Sequence, residues 1–255
     1  MQGDRKVRHL RRKRKPGNIK WLIKILTLIL ILFTAYFFIH SSFFSVASIQ
    51  VIGAKQVKEA DIIALSGLTK GENIFKIDKA EAEKKISTNS MVAGVQIDKQ
   101  LPRRVKIIIQ ERIPVALVPV TGGLMQIDID GFVLRKDSVL SQDALPIITG
   151  LDFSDTLAVG KKLESEKLVM GLKMIAQMDT TAKKEIAEID VFDPQKLRAF
   201  TVQGAEVRLG NGDSFQEKFS KFLQVLDEEQ KLDRLEDIEY IDVSFSGRPV
   251  VFYRK

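Results

Sequence analysis

The sequence predicts an α+β protein with a single N-terminal transmembrane helix, followed by a β-α-α-β-β unit and then a mixed β domain with packed helices. Three observations lead there. Ten of the first twenty-four residues are Lys or Arg, against the one acid Asp4, and they run into an apolar stretch from Trp21 to Ile39 broken only by Lys24. The next roughly seventy residues switch hydrophobic period in the order strand, helix, helix, strand, strand. The rest of the chain is dominated by short alternating segments punctuated by Gly and Pro.

As a helix, the apolar stretch rises about 28 Å, close to the hydrocarbon thickness of a bilayer. The arm at 1–20 carries Arg5, Lys6, Arg8, Arg11, Arg12, Lys13, Arg14, Lys15 and Lys20. By the positive-inside bias it stays in the cytoplasm, the span occupies 21–40, and residues beyond about Ser41 lie across the membrane. A cleaved signal peptide has the same order of parts, and Ser45-Val46-Ala47 offers small residues for a cut. Its apolar core, however, usually runs about 7–15 residues, and Phe43-Phe44 place bulky groups just ahead of that cut, so an uncleaved anchor is expected. A basic arm also suits nucleic acid, but abutting a span it reads as a topology signal that favours anionic lipid. Lys24 is close enough to the cytoplasmic end to snorkel to the interface.

The overall net charge of +7 belongs to the arm. Residues 41–255 carry 30 basic and 32 acidic groups, a net charge of −2, and so have no electrostatic footprint for nucleic acid. There is no Cys, and the two His, His9 and His40, sit in the arm and at the end of the span. That inventory excludes disulfides, thiolate metal sites, Cys nucleophiles, a Ser-His-Asp triad and a His-ligated zinc beyond the span. No Ser has Lys three residues later, which removes the penicillin-binding nucleophile motif. Carboxylate-only chemistry or Ser-Lys chemistry at another spacing survives the inventory. No cofactor or metal is expected.

In order along the chain, Ile49 and Val51 alternate in a strand from Ser48 that stops at Gly53. A helix over about 58–65 carries Ile62, Ile63 and Leu65 and ends at Gly67. After the loop Gly71–Phe75 comes a helix over about 79–86. Strands follow at 92–99 and 104–112, the second bracketed by Pro102 and Pro114, which cannot donate to a ladder. Strands at 116–120 and 124–128 flank Thr121-Gly122-Gly123, a hairpin signal, and another runs from Phe132 to Leu134. Extended segments are expected at 146–149, 186–192, 197–202, 206–209, 238–245 and 249–253. A helix over about 166–178 holds Leu168, Leu172 and Ile175 at core spacing. A second begins at Ser214, with Glu217 completing a capping box and Phe215, Phe219, Phe222, Leu223 and Leu226 forming its buried stripe.

Several motifs invite chemical readings. Asp128-Ile129-Asp130-Gly131 has the alternate acids of a calcium loop, but the far-end acid would fall on Val139; a turn in which Asp caps its own backbone is expected instead. Gly210-Asn211-Gly212-Asp213 resembles a phosphate cradle at a helix start, yet it lacks the dinucleotide or P-loop spacing, and a strand-to-helix turn is expected. Glu111, Arg112 and Pro114 form an interdomain joint, with a local ion pair and a Pro-forced extended turn into the next domain. In the last strands Tyr240, Asp242 and Ser244 alternate with Ile241, Val243 and Phe245. The first row is expected to face outward and the second the core.

Taken together, these residues carry a resemblance. After the arm, the span and β-α-α-β-β come Leu101-Pro102-Arg103-Arg104-Val105-Lys106-Ile107 and Glu111-Arg112-Ile113-Pro114-Val115-Ala116. Asp128-Ile129-Asp130-Gly131-Phe132-Val133, Pro146-Ile147-Ile148-Thr149-Gly150 and the terminal Ile241-Asp242 come after them in order. The chain resembles the bacterial cell-division family FtsQ/DivIB over nearly its full length, with 44–113 resembling a POTRA domain and 115–255 the β domain after it. The resemblance implies a non-enzymatic divisome scaffold. It would sit in the bacterial cytoplasmic (inner) membrane at the division septum and link early division proteins to septal peptidoglycan synthesis. It further implies the partners FtsB and FtsL, DivIC-like single-span proteins, with other divisome components and membrane lipid. The partner site it implies is the C-terminal hairpin: Tyr240, Ile241, Asp242, Val243, Ser244, Phe245, Val250, Val251 and Phe252, adding a partner strand if one of its two strands is the sheet edge. Many relatives carry Arg two residues after the Asp, where this chain has Ser244. Two other classes stay open: a POTRA-type polypeptide-binding transport component, for which repeated units and a membrane β-barrel are expected, and an anchored hydrolase using carboxylates.

Overall fold

The computed structural model describes residues 19–137, 145–152 and 158–254, so all of the basic arm but Ile19 and Lys20 lies outside the described residues. The chain divides into two compact units: one comprises Met1–Ile49, Thr69–Ile77 and Lys99–Val105, the other Gln50–Leu68, Asp78–Asp98 and Lys106–Lys255.

In the first unit, the apolar run forms one helix, α1 (Ile19–Ile39), long and apolar enough to cross a membrane. Its large side chains are exposed all round, as a helix solvated by lipid requires. Thr27 and Thr34 return their hydroxyls to the carbonyls of Ile23 and Leu30, which hides those polar groups within the helix. A 3₁₀ turn, Ser42–Phe44, follows. The turn around Leu101-Pro102, a cis peptide, is tied back by Arg103, whose carbonyl accepts from Ala47 N–H (2.8 Å) and whose Nε donates to Ser45 O (3.1 Å).

Strands β1 (Ser48–Ile52), β2 (Val92–Gln100) and β3 (Arg104–Glu111) form a sheet in the order β1-β3-β2. Helices α2 (Glu59–Ser66) and α3 (Lys79–Ile86) pack on one another. Both helices have an end set by local chemistry: Gly67 takes φ 70° at the end of α2, and Asp78 accepts from Glu81 N–H (3.1 Å) at the start of α3. Gly53 is obligatory at φ 93°, because a Cβ there would stand 2.0 Å from the Ile109 carbonyl oxygen. This is the β-α-α-β-β order the hydrophobic periods predict.

Beyond it lies a nine-stranded mixed sheet. Its strands are β4 (Pro114–Val120), β5 (Gly123–Asp128), β6 (Val133–Asp137), β7 (Ile147–Thr149), β8 (Ile186–Asp190), β9 (Leu197–Thr201), β10 (Glu206–Gly210), β11 (Ile238–Asp242) and β12 (Val250–Tyr253). Their order is β12-β11-β10-β9-β8-β7-β4-β5-β6. Helices α4 (Glu166–Gln177) and α6 (Phe215–Lys231) supply Leu168, Leu172, Phe215, Phe219 and Phe222 to one core with Ile189, Ala199, Val207 and Ile241 of the strands. A short helix, α5 (Ala182–Glu185), precedes β8 without having been expected.

Three local expectations are corrected. The capping box at Ser214 does not form: Ser214 sits at φ 54°, ψ 39° with no side-chain cap, and Glu217 pairs with Lys221 (2.8 Å) one turn on. The last strands are shorter than expected, ending at Asp242 and beginning at Val250. Phe245, expected in the core row, lies past the strand and is exposed.

Candidate partner-binding edge

The edge is built from α6 outward. The Phe stripe of α6 buries the inner face of β10 and β11, and the crossover through α6 makes those two strands parallel, with Val207 opposite Ile241. Between β10 and α6 the chain makes a strand-to-helix turn organised around a lysine. Lys218, almost fully buried, donates from Nζ to Leu209 O (2.7 Å), Asn211 O (3.0 Å) and Asn211 Oδ1 (3.3 Å), filling the turn with a cation of its own. Burial pushes its ammonium below the usual lysine range, with Asp213 and Glu217 opposing.

After β11 the chain leaves the ladder. Val243 is buried and its N–H donates to Arg208 O (3.0 Å), while Ser244 N–H donates to Asp242 Oδ1 (2.9 Å) and turns the backbone. Ser244 packs so near Gly210, itself at φ 67°, that a Cβ on that glycine would come within 2.9 Å of the serine Cβ. β12 then returns antiparallel on β11, pairing Tyr240 with Phe252, Ile241 with Val251 and Asp242 with Val250. It is held at its end: Tyr253 donates its hydroxyl to Glu229 Oε1 (2.9 Å), Arg234 Nε lies 3.3 Å from Glu229 Oε2, and Arg254 N–H donates to Asp237 O (2.8 Å). Burial, followed by that bond to a carboxylate, raises the Tyr253 phenol above its usual value.

On the outward face, side chains line up across the strands. Phe252 stacks on Tyr240 (centroids 5.1 Å apart, planes at 10°), and the Arg208 guanidinium lies 3.6 Å from the Tyr240 ring centroid. Glu206 accepts from Arg208 (3.3 Å), and Arg198 pairs with Asp190 (2.5 Å). The hydrogen bond from Arg208 to Glu206 raises the arginine further, against partial desolvation. A groove of about 530 Å³ runs along this face past Arg198, Glu206, Arg208, Asp242 and Ser244. Val250 and Phe252 are 47% and 43% exposed, and β12 has no strand on its far side among the described residues.

The expected partner residues are therefore not equivalent. β12, with Val250, Val251 and Phe252, is the sheet edge; Tyr240 and Asp242 lie on β11, one strand in. Ile241 and Val243 are buried, and Ser244 and Phe245 belong to the turn. Val243 is unsuited to ladder pairing with another chain, because its N–H is already engaged inside. Arg208 and Arg198 were missed by the sequence reading. The alternation Glu206, Val207, Arg208, Leu209 already points Arg208 outward, but its position over Tyr240 depends on a neighbour some thirty residues away.

The residues expected to form a joint are also wired differently from the expectation. Glu111 and Arg112 point to different partners rather than to each other. The Glu111 carboxylate accepts from Lys55 N–H (2.8 Å), Gln56 N–H (3.0 Å) and Val57 N–H (2.9 Å). Burial works against its charge, but these three donors and the Lys55 cation hold it below its usual 4.5. Arg112 donates to Asp128 Oδ2 (2.6 Å) and lies 3.7 Å over Phe132. Asp128 Oδ1 accepts from Asp130 N–H (3.1 Å) and Phe132 N–H (2.8 Å), with Gly131 at φ 84°. The Asp-rich motif is thus a self-capped turn whose carboxylate is taken by arginine. Pro114 opens β4, where it pairs with Asp128.

Comparison with known proteins gives two family matches in sequence: POTRA domain, FtsQ-type, over residues 44–112, and cell division protein FtsQ/DivIB, C-terminal, over 116–244. The chain is 26% identical to a cell division protein FtsQ from Syntrophotalea carbinolica over 215 residues, 83% of this chain and 74% of the relative. It is 25% identical to a cell division protein DivIB from Clostridium botulinum over 254 residues, covering 97% of this chain and 96% of that protein. A cell division protein FtsQ from Geobacter sp. is 29% identical over 210 residues, 80% of this chain and 74% of its own.

Proposed function

Because this chain belongs to the FtsQ/DivIB family of bacterial cell-division proteins, we propose that it is a non-enzymatic scaffold of the division machinery that binds FtsB and FtsL through the free edge of β12. In this reading the domains divide as 44–113 and 115–255. The N-terminus lies in the cytoplasm, and the folded part acts outside the cytoplasmic membrane at the septum, helping to bring peptidoglycan synthesis there.

The observation that carries the reading is β12 itself, a terminal strand with an open backbone edge and two exposed apolar side chains next to an aromatic and arginine face. An extended partner segment gains main-chain hydrogen bonds there, and its alternate side chains find Val250 and Phe252. Substituting Val251→Pro in the full-length protein tests it, with binding of the extracytoplasmic segment of FtsB measured by titration and folding checked by circular dichroism. Proline in a strand at the point of pairing abolishes binding if β12 forms the ladder. A folded variant with unchanged affinity would remove the edge-strand mechanism.

A further inference from the structure

The stretch just beyond the span carries a feature that the division reading leaves unused. In the 3₁₀ turn after α1, Phe43 and Phe44 meet edge to face (5.0 Å), and Phe38 of the last helical turn contacts both, at 5.7 and 5.2 Å. A residue far along the chain joins them: Phe75 lies 5.0 Å from Phe44. The loop bearing it is fastened to the end of α1. Asn73 Nδ2 donates to Ile39 O (2.7 Å), satisfying a carbonyl that the helix end leaves without a partner. Backbone bonds from Ile74 N–H to Phe44 O (2.9 Å), from Val46 N–H to Glu72 O (2.8 Å) and from Gly71 N–H to Val46 O (2.9 Å) complete the attachment.

Within this loop the neighbouring side chains part company. Ile74 is fully buried, whereas Phe75 is 45% and Phe43 52% exposed. Two half-exposed phenylalanines would be costly in water, but their height matters. The twenty-one residues of α1 rise about 31 Å, so a hydrocarbon core of about 30 Å ends near Ile39 and the aromatic cluster falls in the headgroup layer just beyond. Charge agrees with that position. Beyond the span, this compact unit holds Lys70, Lys76, Lys99, Arg103 and Arg104 against Glu72 alone, although residues 41–255 as a whole are net negative.

We infer that the Gly71–Lys76 loop is a second membrane anchor, inserting Phe75 beside Phe43 into the headgroup layer of a phospholipid bilayer at the C-terminal end of α1. The inference rests on the reading of α1 as a membrane span. Phe75 supplies the apolar contact and the surrounding lysines and arginines favour anionic headgroups. The loop adds a point of contact far from α1 in sequence.

Trp21 is the only tryptophan, and there is no cysteine, so single probes are clean. In full-length protein carrying Trp21→Phe and reconstituted in phosphatidylcholine and phosphatidylglycerol nanodiscs, Phe75→Trp is compared with Phe38→Trp, the reference at the end of the span. Lipid brominated near the headgroup end of the acyl chain is expected to quench both by at least about twofold, with the indole at position 75 shielded from aqueous iodide. As an independent probe, a nitroxide on Phe75→Cys is expected to collide with oxygen in preference to a water-soluble nickel chelate. Quenching at position 38 with an iodide-accessible, unquenched position 75 overturns the anchor and leaves the span standing. No quenching at either position overturns the span reading, and the anchor with it.

Discussion

The two ends of the nine-stranded sheet are built on opposite plans. At β6 the strand reads Val133-Leu134-Arg135-Lys136-Asp137, and its outer side is occupied where it begins: Gly160 N–H donates to Val133 O (2.8 Å), Val133 N–H to Lys161 O (2.9 Å), and Ser90 Oγ to Leu134 O. Arg135 and Lys136 fold back on Gln126 and Thr121. Charge and a covering segment are the usual protection of a strand edge against unwanted pairing. At β12 the strand reads Val250-Val251-Phe252-Tyr253, with no charge within it and no covering segment among the described residues. This edge, uncovered among the described residues in a sheet that guards its other end, is what the proposed partner site rests on.

The contrast can be broken at its common support. Phe222→Ala removes a fully buried ring beneath the sheet and is expected to destabilise the fold by about 3–5 kcal/mol in denaturant titration. Partner binding should then fall only in step with unfolding. The next change is aimed at one edge. Phe252→Lys gives β12 the protection β6 already has, and is expected to weaken FtsB-segment binding at least about tenfold with a much smaller effect on stability. Lys136→Val on β6 should leave that affinity unchanged.

A substitution remote from both edges sharpens the comparison by leaving it intact. Glu111→Gln disturbs the three N–H bonds from Lys55, Gln56 and Val57 and should cost about 1–2 kcal/mol of stability near neutral pH without affecting partner affinity. Since the folded carboxyl titrates below 4.5, its contribution is full above that pH and fades as pH falls through the lowered value. Thermal melts of the two proteins should therefore converge in acid. The smallest effect is at Tyr253→Phe, which frees β12 from Glu229. About 1 kcal/mol is expected, seen as faster amide exchange in β12 but not in β6.

Much of this molecule is legible in one dimension because its causes are local. The run from Trp21 to Ile39, the Gly67 helix stop, the Asp128 turn and the Phe215, Phe219, Phe222 stripe are each set by neighbouring residues. What escaped depends on partners distant in sequence. Glu111 was matched to its neighbour Arg112, yet three backbone donors near residue 56 are better placed than one flexible cation. Ser214 has the spacing of a cap, but the turn around Lys218 draws the backbone left-handed and Glu217 takes Lys221. At the candidate site, alternation separated Tyr240 from Ile241 correctly. It failed at Phe245, because a period of two holds only while the ladder does, and the ladder ends at Asp242. Which of the two hairpin strands is the edge was not legible, since strand order in a mixed sheet is set by helix crossovers such as β10-α6-β11.

Hydrogen exchange of the full-length protein, with and without a saturating FtsB segment, compares the two edges in a single experiment. New protection at Val250–Tyr253, with β6 unchanged, is the expected result for strand addition at the open edge. Protection absent from β12, or appearing at β6 instead, would contradict it.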